Sequence, residues 1–171
     1  MRLLALLLLL LFFNPAAADE WSIGPAPGDA PGSRAAWVQN GDGHLLILRS
    51  LHDNDASWVV VELRLTAGAA FGGVLPTSQI DDGNALENDW QLGHEQYGRT
   101  WGHIDGGSAS WTLAVNTHNV IPAGDVLHRW VTGKEVVITY QTVDGASRSS
   151  SFTLVGMRNA LLTVTGAKVE D

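Results

Sequence analysis

The chain predicts an all-β fold, a mostly antiparallel β-sandwich of about seven to nine short strands with one or two short helices near the C-terminus. Three observations carry this expectation. Short β-prone runs alternate apolar and polar residues, the period of a half-buried strand. Clusters of Gly, Asn and Asp separate those runs at hairpin spacing. No strand–helix–strand alternation occurs, so an open parallel nucleotide-binding sheet is not expected.

Residues 19–34 are rich in Gly, Pro, Asp and Ala and read as an extended lead-in, with Trp21 as its one heavy side chain. Ala35–Gln39 and His44–Leu51 are apolar runs separated by Asn40-Gly41-Asp42-Gly43, a hairpin signal because Asn and Gly tolerate positive φ. Asp53, Asn54 and Asp55 read as a solvated turn. Trp58–Leu65 is the clearest strand, with Leu63 and Leu65 on one face and Glu62 and Arg64 on the other. Thr77–Ile80 is a short strand ended by Asp81-Asp82-Gly83. Residues 84–107 are the least regular part, and one or two short strands are expected near Trp90 and Trp101. Ser110–Val115 alternates Trp111, Leu113 and Val115.

Val126, Leu127, Trp130 and Val131 form a helical stripe. Asp125 is placed to cap its start and Gly133 to end it in the left-handed conformation. Glu135–Val143 is a strand, Asp144-Gly145 turns it, and Ser150–Val155 returns with Phe152 and Leu154 inward. Gly156 ends that strand, and Met157–Leu162 is a short closing turn of helix. Residues 35–171 therefore form one domain.

A chain of 171 residues holds one domain of ordinary size. Ten Lys plus Arg against 18 Asp plus Glu give a net charge of -8, which argues against nucleic-acid binding. The absence of cysteine excludes disulfides, thiolate metal sites and a cysteine nucleophile. Residues 1–18 read as a signal peptide: Arg2, the apolar run Leu3–Phe13, a break at Asn14-Pro15, and the small residues Ala16-Ala17-Ala18. Cleavage is expected after Ala18. The apolar run covers only about half of a ~30 Å hydrocarbon core, so no membrane span is expected in the mature chain. The mature protein is expected to be periplasmic or secreted.

Seven tryptophans are the unusual count. Trp37, Trp58, Trp111 and Trp130 fall on expected strands or the helix stripe and are assigned to the core, each needing a partner for its indole N–H. Trp90 and Trp101 lie in the Gly-rich 84–107 segment. They form the candidate stacking platform of a ligand site, with His94, His103 and Asp105 as polar contacts. The six histidines have no pair at local metal-ligand spacing, and no metal or other cofactor is expected. No nucleophile elbow, zinc-protease helix motif or phosphate-binding loop is present, and no catalytic residue is assigned.

The early Asp19-Glu20-Trp21, the Gly-headed strand Gly133-Lys134-Glu135-Val136-Val137, and Phe152-Thr153-Leu154-Val155-Gly156 followed by Ala160 together resemble a known pattern. It is that of the invasion-associated locus B family of small bacterial periplasmic β-sandwich proteins. The chain also resembles accessory periplasmic proteins of type VI secretion. The resemblance implies a fold and an envelope-associated role, and no catalytic residue. The sequence thus points to an exported, non-catalytic sandwich that binds a protein partner or envelope component. The alternatives are a carbohydrate or metal binding module built on the 84–107 loops, or a weak hydrolase.

Overall fold

The computed structural model describes residues 20–53, 56–66, 69–87, 102–116 and 120–170. They form an all-β, mostly antiparallel sandwich with two short helices late in the chain. The strands are β1 (Ser22–Gly24), β2 (Ala35–Gln39), β3 (Leu45–Asp53), β4 (Ala56–Arg64), β5 (Thr77–Ile80), β6 (Leu86–Glu87), β7 (His103–Asp105), β8 (Ser108–Asn116), β9 (Val120–Ile121), β10 (Glu135–Gln141), β11 (Ser147–Thr153) and β12 (Lys168–Val169). The helices are α1 (Val126–Thr132) and α2 (Met157–Thr165).

One sheet has the order β1-β2-β3-β4-β8-β7 and the other β11-β10-β5-β6. A parallel pair, β9 with β12, ties the C-terminal segment to the chain before α1. Seven strands have four residues or more and match the runs legible in the sequence. The remaining ones are ladders of two or three residues. In particular, the lead-in is extended as expected but contributes β1, which pairs with β2 and so belongs to the sheet.

Alternation decides which face is buried. Leu46 and Leu48 on β3, Val61 and Leu63 on β4, and Ala109 and Trp111 on β8 point into the core. Val136, Ile138 and Tyr140 on β10 and Phe152 on β11 meet them from the second sheet. A bulge interrupts β4 and β8: Val59 pairs with Ala114 but Val60 with Thr112, which leaves Leu113 as the extra, buried residue. The helices extend this core with Leu127, Trp130, Met157 and Leu161. A smaller cluster, Ala26, Ala35, Leu45 and Ile47 with Trp37 against it, lies on the other side of the first sheet under the lead-in.

The cap of α1 is as the sequence predicts: Asp125 accepts the Leu127 N–H at 2.7 Å. The Asp125 carboxyl sits above its ordinary range because of burial, although the bond from Leu127 opposes the shift. The helix end differs from expectation. Gly133 has φ -72°, not a left-handed conformation. Its need for glycine is steric, since a Cβ there would stand 2.5 Å from the Ile80 Cγ2. The left-handed stop occurs on α2, where Gly166 at φ 75° donates to the Leu162 carbonyl.

The tryptophans also depart in part. Trp111 and Trp130 are buried, but their indole nitrogens, like that of Trp21, have no hydrogen-bond partner among the described residues. Their area, not their polar edge, is what the core uses. The side chain of Trp58 lies outside the described residues.

One polar contact bridges the two sheets. His44, 9% exposed, accepts the Thr66 N–H on Nδ1 at 3.1 Å and meets the Tyr140 hydroxyl through Nε2 at 3.5 Å. Because Nδ1 accepts, the ring is held neutral with its proton on Nε2. Burial pushes the His44 pKa below its ordinary value of 6.5, with Asp42 opposing weakly. Below that value an unfolded chain gains a proton that the folded chain refuses. The His44 contribution is therefore full above pH 6.5 and is lost as pH falls toward the depressed folded value. Urea midpoints are expected to drop between about pH 7 and pH 5, and H44Q is expected to flatten that drop. An equal drop in both proteins removes His44 as its source.

Candidate functional site

Two of the five residues singled out in the sequence are described. His103 and Asp105 lie two apart on β7 and share one face, and both are exposed. Trp90, His94 and Trp101 lie outside the described residues, as do the strands expected near the two tryptophans, apart from the flanking β6 and β7.

The hairpin that presents His103 and Asp105 is fixed by its surroundings. Gly106 takes φ 55° at the turn into β8. The carbonyls of Gly106 and Gly107 accept the Phe71 and Leu65 N–H groups at 2.9 and 2.7 Å. At Gly102 a Cβ would fall 2.1 Å from a Leu75 methyl, so a larger residue there would displace the Leu75 side chain. Register then sets the neighbours: His103 opposite Ser110, and Asp105 opposite Ser108.

Continuing across the sheet, Ser110 pairs with Glu62 and Ser108 with Arg64. These side chains face away from the main core, on the surface that the lead-in partly covers. Here the structure assembles a group not assigned from the sequence: Asp29, Arg49, Glu62 and Arg64. Arg49 holds Asp29 in a two-pronged contact at 2.7 and 2.9 Å, and Arg64 adds a third bond at 3.1 Å. Glu62 accepts from Arg49 at 3.1 Å, from the Arg64 Nε at 2.9 Å, and from the Ser108 hydroxyl at 3.3 Å.

Asp29 reaches this position through a turn. Ala26-Pro27-Gly28-Asp29 closes with the Asp29 N–H on the Ala26 carbonyl at 2.9 Å, and Gly28 has φ 90°. Proline followed by a positive-φ glycine is the signature of a type II turn. The Asp29 side chain then accepts the Ala26 N–H at 3.1 Å, and Arg64 also donates to the Pro27 carbonyl. The hydrogen bonds from Arg49, opposed by burial and helped by Arg64, hold the Asp29 pKa at about 2. The Arg49 pKa is raised, first by its bonds to Asp29. Both Asp29 oxygens are occupied, so the group has no carboxylate free for proton transfer. Its chemistry is attachment: it fastens the lead-in over Ala35, Leu45 and Ile47.

Among the described residues no cluster of three or more His, Asp or Glu side chains is placed to hold a metal ion. A cleft of about 250 Å³ opens where the β2–β3 turn meets β10 and β11, with Asn40, Gly41, Glu135 and Phe152 among its walls. This cleft is not legible in the sequence, because its walls come from both sheets.

No family model, curated protein or solved structure matches the chain. No helix among the described residues is long and apolar enough to cross a membrane.

The quartet generates a stability prediction. D29N is expected to cost about 1–3 kcal/mol at neutral pH, because it removes a charge that two arginines share. The Asp29 contribution is full above pH 3.8 and is lost as pH falls through about 2. Urea unfolding of wild type and D29N is therefore expected to converge in strong acid. A constant gap down to the acid limit counts against the carboxylate charge as the cause.

Proposed function

We propose that the protein is exported and acts by binding, without catalysis, a protein partner or an envelope component. The observation that carries this reading is the exposed His103–Asp105 face of β7. The Gly106-Gly107 turn beside it is tied to Phe71 and Leu65 by backbone bonds, and the face continues into Ser108, Ser110 and the ion quartet. An exposed histidine and carboxylate beside a neutralised surface suit recognition of a polar partner. Trp90, His94 and Trp101 precede β7 in the sequence. The signal-peptide pattern of residues 1–18 and the locus B resemblance support an envelope location.

Two measurements test this reading. N-terminal sequencing of the protein exported from a bacterial host is expected to read Asp-Glu-Trp, from Asp19 onward. Retention of residues 1–18 refutes the export reading. Quantitative capture from envelope extract with wild-type bait and with an H103A/D105A variant is expected to give a macromolecular species that the variant loses. Equal recovery by both baits refutes the site. Co-purification of a sugar or metal in place of a macromolecule favours the small-ligand alternative.

A further inference from the structure

We propose that Asn40 is a site of self-modification: in the folded protein the Gly41 amide nitrogen attacks its side chain, and the asparagine becomes aspartate or isoaspartate without an enzyme. The residues concerned form the β2–β3 turn and are independent of the β7 face. Asn40 is the one asparagine in the chain followed by glycine. Every other asparagine precedes a residue that bears a Cβ.

The turn leaves the attacking nitrogen uncommitted. The hairpin is closed by the Asn40 N–H on the His44 carbonyl at 3.0 Å and the Gly43 N–H on the Asn40 carbonyl at 2.9 Å. Gly43 takes the left-handed position, at φ 82°. Gly41 is not needed for that purpose, since its own φ is not in the left-handed range. Its N–H has no acceptor among the described residues. A Cβ placed on it would meet no atom within 4 Å, so water and base reach it freely.

The other reactant is polarised. The Asn40 Oδ1 accepts the Asp42 N–H at 3.1 Å and the His44 N–H at 2.9 Å. Two donors at one end of the side-chain amide mark that end as the oxygen. They also stabilise the negative charge that grows on Oδ1 when a nucleophile adds to Cγ, the task of an oxyanion hole. Nucleophile and carbonyl belong to neighbouring residues, so ring closure needs no encounter between molecules.

The Gly41 nitrogen gives its proton to solvent base and bonds to the Asn40 Cγ. The Cγ–Nδ2 bond breaks, and the nitrogen leaves as ammonia after taking up a proton. Water then opens the cyclic imide. Attack at Cγ restores the main chain and leaves aspartate. Attack at the former main-chain carbonyl of Asn40 leaves isoaspartate, with the main chain routed through Cγ. The aspartate form keeps its Oδ1 acceptor and strengthens both bonds by adding charge. The isoaspartate form lengthens the main chain inside a closed hairpin and disturbs its register. Asn40 and Gly41 line the cleft with Lys134 and Glu135. Conversion therefore adds an anion to a cleft that already holds one residue of each sign.

Purified protein held at mildly alkaline pH in native buffer is expected to give a growing acidic fraction on anion exchange. Peptide mapping, with digestion in mild acid, is expected to place the amide-to-acid mass gain at Asn40 ahead of every other asparagine. N40D marks the elution position of the aspartate form. G41A restricts the backbone that ring closure must bend, and is expected to slow conversion by about tenfold or more. N40Q requires a larger ring and is expected to stop conversion, which covers the case in which G41A fails to fold. Conversion in guanidinium chloride but not in the folded protein overturns the proposal, because the turn would then protect Asn40. So does conversion at the wild-type rate in G41A, or conversion shared equally among the asparagines.

Discussion

The fold depends on one apolar interface between two sheets, formed without any covalent staple. With no cysteine in the chain, no disulfide supplements the burial of apolar area. Trp111, and Trp130 from α1, are spent on that core with no partner for their indole nitrogens among the described residues. Each large ring removes more apolar area from water than any aliphatic residue could, and that gain offsets the lost hydrogen bond. The His44–Thr66–Tyr140 contact is the polar exception. It works because all three groups have complementary roles, with the ring kept neutral.

The sandwich was legible because its long strands write their burial locally. Val61 and Leu63 against Glu62 and Arg64 on β4, or Val136, Ile138 and Tyr140 on β10, declare an inner face within a few residues. The short ladders do not. β1, β9 and β12 exist because a partner lies beside them, and two or three residues carry no period of their own. Gly133 shows the same division. Its place after a helix is visible in the sequence, but its reason is the Ile80 methyl, which only the fold brings near.

The candidate site was legible to the extent that it is local. His103 and Asp105 share a face because strand side chains alternate, and the Gly106-Gly107 turn beside them is a sequence feature. The ion quartet was half visible. Glu62 and Arg64 stood out as the polar face of a strand, yet nothing ties them to Asp29, 35 residues before Arg64. Arg49 lies inside an apolar run, where its charge signals a partner but does not identify it. The Pro27-Gly28 turn could have been recognised as a device for delivering Asp29, since that pair sets the backbone for a type II turn.

The placement of charge in the first sheet sharpens the reading of the second. Sheet proteins ordinarily put charged side chains on their edges, where they prevent pairing with other chains. Here Arg49, Glu62 and Arg64 sit on β3 and β4, strands flanked on both sides, and they are consumed in holding down the lead-in. The long edge β11 instead carries hydroxyls on its exposed face, with Arg148 its one charge. Serine covers little area and exerts no repulsion, so it leaves the amide row open.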